Sequence, residues 1–544
     1  MKTIAMYLPQ FYSTPENSEW WGEGYTDWIA AKRAKKYNDS HYQPHIPLNE
    51  NYYNLLEKRT MEWQTELMHK YGIDAMCFYH YYFKDGKKVL QKPAENLLEW
   101  KDIDMPFCFS WDSASWVRSW SAVSGNKWII GNELADQSTL VDKDDSVLIE
   151  QKYGDKKDWE KHFYYLLPFF KDKRYVKFNE KPIFVIHDIQ NIWCINEMIE
   201  LWEQLAVING LKGISMISTR IRCETSLYVI SMEPTIKDGL RKLFIDYEST
   251  MEDIIRRAYH ADNYTFLCGF PSFDCTPRKG EYGRVYTGST PELFYKMMKY
   301  LYYIGDFRGN EFTFVNAWNE WGEGMHLEPD EKFGYQYLES LKKAQDDYKH
   351  LLDEEKRELF DIISGKRTNE NDNENSEQSS ISEYVLNSKQ NDGVTRFMSI
   401  CRTLDKWMLL KENNISLRTF FEDISRERED EIKIAGTKRK ERKTIKASIC
   451  VSIAIYGIGM LGRHLLTELN QEGIEVAYGI DIRDAVAKNI NIYKLEDIKE
   501  HVDIVIVTVM WDYTEIYKKI KKSGIANEII SLEQMINSVS EKQL

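Results

Sequence analysis

The sequence predicts an α/β chain: a (β/α)8 TIM-type barrel, then a polar linker, a short helical segment and a small Rossmann-like α/β domain. Three observations predict it. Eight apolar β-type runs, most of them separated by helical patterns, fill the region before residue 350. Those runs begin apolar and end polar or aromatic. Near the C-terminus a strand-like run leads through G-x-G-x-x-G into an amphipathic helix. A chain of 544 residues exceeds one ordinary core, and the boundaries are placed at 1–355 for the barrel, 356–445 for the linker and helical connector, and 446–544 for the last domain.

The runs are "KTIAMYL", "IDAMCFYHYYF", "MPFCFSW", "KPIFVIH", "GISMIST", "YVISMEP", "YTFLCGFPSF" and "FTFVNAWNEW". Most are continuously apolar, as strands covered on both faces are. Between them, Leu55 to Tyr71 is amphipathic, and Ile195, Met198, Ile199, Trp202, Leu205 and Ala206 follow a 3.6-residue period. Thr290 followed by Pro291 reads as an N-cap and first helical residue. The link from Ser218 to Tyr228 is short for a full helix, so that unit is expected to be irregular. A doubly wound open sheet is the competing fold, but no glycine-rich turn follows the first strand.

The strand ends carry Gln10; Tyr79, His80, Tyr81 and Tyr82; Trp111 and Asp112; His187 and Asp188; Glu233; Asp274; and Glu320 with Glu323. In a barrel these ends share the face where active sites are built.

Composition narrows the function. The net charge of −14 argues against non-specific nucleic-acid binding. The aromatic share of 13% fits large aromatic cores or a cleft lined with aromatic faces, as in sugar-binding sites. The eight cysteines include no C-x-x-C, and Cys77, Cys108 and Cys268 lie within apolar runs, which suits reduced thiols in a reducing compartment. The apolar run Ile4 to Leu8 is too short for a signal peptide, and no run approaches membrane-spanning length. A cytoplasmic location is expected.

"VNAWNEWGEG", Val315 to Gly324, sets Glu320 and Glu323 among Trp318, Asn319, Trp321 and two glycines. Cleaving or transferring a glycosidic bond calls for two carboxyl groups, one to protonate the departing oxygen and one to act as nucleophile or base. Three positions apart in a regular strand, they would face opposite ways. Gly322 and Gly324 allow a sharp turn that could bring both into one cleft. The plainer alternative is two glutamates that cap helices or pair with surface lysines.

Softer candidates surround that pair. Tyr7 and Gln10 end the first strand. Trp20, Trp21 and Glu23 sit on a glycine-containing loop. Tyr79, His80 and Tyr82 end the second strand and Trp111 the third. Asp274 and Arg278 could form a structural ion pair or contact an acidic sugar. His326 follows the glutamate motif. No His/Asp/Glu cluster shows metal-ligand spacing.

"YLPQFY" (7–12), "WWGEGYTDW" (20–28), "HYQPHIPL" (41–48), "GIDAMCFYHYYF" (72–83), "MPFCFSW" (105–111), "FDCTPR" (273–278) and "NAWNEWGEGMHLEPD" (316–330) together resemble the WbsX family. Its members are called glycosyltransferases, are encountered with surface-polysaccharide biosynthesis, and are similar to glycoside hydrolase family 99, the endo-α-mannosidase type. The resemblance implies a barrel acting on an α-linked sugar with retention, without an enzyme ester. It implies that Glu320 assists the sugar 2-hydroxyl and that Glu323 is the acid/base. One departure stands out: where relatives read like W-A-N-E-N-W, this chain has "WDSASW", with Ala114 at the glutamate position and Asp112 nearby. The expected substrate is an oligosaccharide or glycan-lipid in capsule or O-antigen assembly, with other polysaccharide-assembly enzymes as candidate partners. The alternative is a catalytically inactive glycan-binding or scaffold protein.

"VSIAIYGIGMLGRHLLTELNQEGIEVAYGID", Val451 to Asp481, supplies Gly457, Gly459, Gly462 and Asp481 in the strand, glycine-loop, helix, strand, acid order of a dinucleotide fingerprint. A nucleotide or NAD-like ligand could bind there; a structural or docking module is the alternative. The barrel itself calls for no cofactor. The basic stretch at 436–446 reads as a solvated linker or as a contact to a phosphate or the inner membrane face.

Overall fold

The computed structural model describes residues 1–117, 147–222 without 188, 190 and 191, 228–235, 244–349 without 281 and 282, 383–434, and 451–543 without 483, 484, 486, 488, 489 and 510–512. Asp188, the polar stretch at 365–382 and the basic stretch at 436–446 lie outside these residues. The chain divides into two compact units, Met1–His350 and Leu351–Leu544. Among the described residues no helix is long and apolar enough to cross a membrane.

The first unit is a closed barrel of parallel strands: β1 (Lys2–Tyr7), β2 (Ala75–Tyr82), β3 (Phe107–Asp112), β4 (Lys181–His187), β5 (Ser215–Thr219), β6 (Tyr228–Ile230), β7 (Thr265–Gly269) and β8 (Phe312–Val315). Each strand pairs with the next, and β8 closes on β1. The crossover helices are α1 (Lys58–Lys70), α2 (Lys92–Glu99), α3 (Lys156–Phe170), α4 (Ile195–Ile208), α5 (Tyr247–His260), α6 (Pro291–Phe307) and α7 (Gln336–Lys349). The six periodic residues read in α4 are its buried set. Thr290 caps α6 by accepting the Leu293 amide at 3.2 Å.

Strand alternation decides which side chains enter the barrel. Thr3 and Tyr7 bond to Tyr302 on α6 and Gln64 on α1, so the odd positions of β1 face the helices and Ile4 and Met6 face inward. In β2, His80 bonds to His162 on α3 and Tyr82 stacks on the same ring, which leaves Cys77, Tyr79 and Tyr81 inward. The floor is aromatic: Phe178, Tyr228, Phe266 and Phe312 pack with ring centroids 4.9–5.8 Å apart.

The second unit is a parallel sheet of β9 (Ile453–Tyr456), β10 (Val476–Ile480), β11 (Ile492–Tyr493), β12 (Val502–Val507) and β13 (Ala526–Ser531) in the order β11-β10-β9-β12-β13. Helix α8 (Glu383–Glu412) and helix α9 (Arg418–Ile434) precede it, and α10 (Met460–Gln471), α11 (Tyr513–Ser523) and α12 (Leu532–Gln543) complete it. Helix α8 starts earlier than the polar composition near 383–395 suggests, and Val394 within it is fully buried. Trp407 and Lys411 of α8 both reach Glu468 on α10, at 2.8 and 2.9 Å.

Gly462, on α10, faces the Gly457 carbonyl so closely that a Cβ would sit 2.1 Å from that oxygen. Gly462→Ala should therefore push α10 off β9 and lower the stability of this unit by about 1–3 kcal/mol. Calorimetry would show the loss in the transition of the second unit, with that of the barrel unchanged.

Candidate active site

Beyond β8 the chain makes a two-residue strand, Asn319–Glu320, that folds back antiparallel onto Met325–His326. One 3₁₀ turn, Trp321–Glu323, joins them and ends on Gly324 at φ 53°. The glycines are needed for close approach. A Cβ on Gly322 would sit 2.4 Å from Asp27 Oδ2 and 2.6 Å from Arg278 Nε, and one on Gly324 would press on Asp274 and His45. The Gly322 amide donates to Asp27 Oδ2 at 3.0 Å.

Arg278, on the short helix Thr276–Lys279, holds the turn together. Its Nη2 donates to Glu320 Oε2 at 2.8 Å and its Nη1 to Glu323 Oε1 at 3.0 Å. Its Nε and Nη2 also reach Asp27 Oδ1 and Oδ2 at 3.1 and 2.9 Å. Both glutamates thus meet on one guanidinium. Side-chain exposure is 1% for Asp27, 8% for Glu320, 16% for Arg278 and 29% for Glu323, so the group opens to solvent on the Glu323 side.

Three carboxylates face one cation. Burial penalises the ionised form of Glu320; Arg278 opposes that penalty while Glu323 and Asp27 add to it. The result pushes Glu320 up to about 8. Burial and the neighbouring carboxylates thus favour the protonated form of Glu320. Such a set can both give and take a proton beside one cleft.

The wall comes from β2 and the loops. Tyr79 is half-buried; burial first, and then the Glu320 charge, hold its phenol well above the usual range. Tyr81 is held up by burial and by Asp112, Glu320 and Glu323, with Arg278 opposing. Its ring meets Trp116 edge-on at 5.1 Å, and Trp116 lies 5.6 Å from the half-buried Trp20. Glu23 is exposed on its loop, Gln10 is half-buried, and Trp21 packs under the loop with Tyr25 and Ala30.

Several expected residues do not line this cleft. Tyr7, His80, Tyr82 and Trp111 face the helices, because alternation turns them outward: Tyr7 bonds to Gln64, and the other three pack on His162. Trp318 is fully buried, and Trp321 is sealed between Trp28 and His326, so neither indole offers an open face to a sugar. The Asn319 amide copies a strand ladder, accepting the Leu8 amide at 2.7 Å and donating to the Leu8 carbonyl at 3.0 Å. Asp274 bonds to His41, Gln43 and Thr276 rather than to Arg278, anchoring the 41–45 loop under the turn. His326 supports Trp321 from below.

Sequence reading passed over Asp27, and named Tyr81 only among the strand ends. Tyr81 was legible: it shares a face with Tyr79 by the period of two. Asp27 had no local signal, since it lies 251 residues from Arg278 in sequence. In the second unit Gly457, Gly459 and Gly462 open α10, and buried Asp481 accepts the Ile458 amide at 2.7 Å, tying its carboxylate to the glycine loop.

Fold and site together define a (β/α)8 barrel protein with an arginine-bound carboxylate cluster at the C-terminal mouth of its strands. The family described as Glycosyltransferase WbsX matches residues 3–341, and the chain belongs to that family. Two relatives, each called "Uncharacterized protein WxcX" and found in two strains of Xanthomonas campestris pv. campestris, are 26% identical over 369 residues, covering 63% of this chain and 49% of theirs. The chain spans about half the length of these curated relatives. Among solved structures, a GH99 endo-alpha-mannosidase from Bacteroides thetaiotaomicron matches at 12% identity and TM-score 0.39, covering 64% of this chain and 97% of that one. A "Glycoside hydrolase-like protein" matches at 11% identity and TM-score 0.39, covering 63% and 93%.

Proposed function

We propose that the barrel cleaves or transfers an α-linked glycosyl unit with retention, using Glu320 and Glu323, in the assembly of a surface polysaccharide. The observation that carries this reading is the pair itself: two glutamates on one guanidinium at the barrel mouth, one buried with its pKa pushed up, the other more exposed. Family membership supports the substrate class. In this reading Glu323 protonates the departing oxygen and later activates the acceptor, while Glu320 takes the proton of the sugar 2-hydroxyl. Each step needs one proton on the pair: as Glu323 gives one to the departing oxygen, Glu320 gains one from the 2-hydroxyl, and the second step reverses the exchange with the acceptor.

The pH dependence follows. Losing the shared proton stops the reaction, so the rate should fall as pH rises through about 8. Asp27→Asn removes a negative charge that raises Glu320, while an amide oxygen can still accept the Gly322 N–H. The alkaline limb should then move to lower pH, with the plateau rate changed by less than about tenfold. An unmoved limb would mean that this cluster does not set it.

The test of the reaction is a panel of labelled α-linked oligosaccharides, with products read by mass spectrometry and anomeric configuration by NMR. Retained configuration is expected; inversion would exclude this mechanism. The rival reading, a glycan binder without turnover, draws on Ala114, which leaves only Asp112 as a carboxylate in that stretch. Binding on the panel with no product from any member would favour it.

A further inference from the structure

Behind the catalytic turn, two loops meet in a short ladder. The Leu48 amide donates to the Pro329 carbonyl at 2.9 Å and the Glu331 amide to the Ile46 carbonyl at 2.9 Å. This pairing brings a buried residue of one loop to two buried residues of the other, 281 residues away in sequence at the closest pair. His45 Nδ1 lies 2.9 Å from His326 Nε2, and one ligand atom from each of His45, His326 and Asp330 falls within 4.8 Å of the others. We infer that His45, His326 and Asp330 form a site for one divalent transition-metal ion of the zinc class.

The donor set fits that chemistry. Two imidazole nitrogens and one carboxylate oxygen suit zinc or cobalt, and they do not suit magnesium or calcium, which prefer all-oxygen shells. The orientation of the ligands is set from outside. His326 Nδ1 lies 2.9 Å from the Glu328 carbonyl, which can only accept, so Nδ1 carries the hydrogen and Nε2 presents its lone pair to the centre. Asp330 is aimed by the Phe333 amide at 2.6 Å and the Tyr42 hydroxyl at 3.3 Å.

Without an ion, His45 Nδ1–H donates to His326 Nε2. Binding moves that hydrogen to Nε2 of the same ring, so the two facing nitrogens both become donors to the metal and no net proton is lost. Tetrahedral bonds of about 2.1 Å would separate them by about 3.4 Å, a small opening from 2.9 Å. Lys332, whose Nζ lies 4.4 Å from the centre of the Tyr42 ring, is the nearby cation that opposes binding.

The site connects to the chemistry through one ring. His326 stacks on Trp321 at 3.7 Å with an interplanar angle of 13°, and Trp321 begins the turn that carries Glu323. A bound ion would fix the platform under that turn.

The experiment uses the full chain, stripped with a chelator and titrated with Zn²⁺, Co²⁺ and Mg²⁺; it reads binding, so its outcome is independent of any catalytic reading. One Zn²⁺ per chain, a Zn²⁺-dependent rise in Tm and visible Co²⁺ d–d bands are expected, with no response to Mg²⁺. His45→Gln should weaken Zn²⁺ binding at least about tenfold. Absence of binding, or equal affinity in the variant, would overturn the site. Should that variant fail to fold, zinc-edge anomalous diffraction from a soaked crystal of the parent decides: a peak among the three residues supports the site, and none there overturns it.

Discussion

Glu323→Gln should cut turnover by about 10²–10⁴-fold while leaving the barrel folded. The amide keeps the size of the side chain, and its oxygen can still accept from Arg278 Nη1, now 3.0 Å from Glu323 Oε1. What it loses is the ability to release and regain a proton. Glu323 is also the most exposed member of the cluster, with 29% of its side chain open, so a neutral replacement there adds little desolvation strain. The check is steady-state product formation on whichever glycan the panel identifies, beside a melting curve and a binding isotherm. Turnover lost with binding and Tm retained is the expected pattern. Parental turnover in the variant would remove Glu323 from the chemistry.

Arg278→Met is expected to have the largest effect on stability. Asp27 and Glu320 are nearly fully buried, with side-chain exposures of 1% and 8%, and both hydrogen-bond the same guanidinium. Removing one partner of a buried ionic group leaves uncompensated charge and costs about 3–5 kcal/mol. The pH dependence has a definite sign. Without Arg278 the burial that already raises Glu320 acts unopposed, so its folded-state pKa lies further above the unfolded one. Its contribution to stability is then present below the unfolded pKa and is lost as pH rises through the folded one. The deficit relative to the parent should accordingly be larger at pH 8 than at pH 5.5 in urea denaturation. A deficit independent of pH would show that packing, rather than charge, is what the arginine supplies.

The architecture was largely legible. Continuous apolar runs such as "KPIFVIH" read as strands covered on both faces, and the 3.6 period from Ile195 to Ala206 marks the face that α4 buries. The glutamate turn was legible too, because Gly322 and Gly324 announce a bend that a regular strand would not make. The residues around it were less so. Tyr7, His80, Tyr82 and Trp111 sit at strand ends and looked like cleft residues, yet the alternation of each strand points them at helices. Two indoles beside two glutamates suggested open sugar platforms; both are interior, because the hairpin folds back and buries them.

By itself the sequence determined the order of strands and helices, the polar break in the chain and the placing of two glutamates on a glycine-bent turn. Those features depend on neighbours a few residues apart, through periodicity and backbone freedom. Only the tertiary structure decided that Arg278 pairs with Glu320, Glu323 and Asp27 instead of Asp274, and that His45 meets His326 and Asp330. Each of these depends on loops 40 to 300 residues apart closing over the same barrel mouth, and the charge and burial that set their chemistry exist only once the barrel has closed.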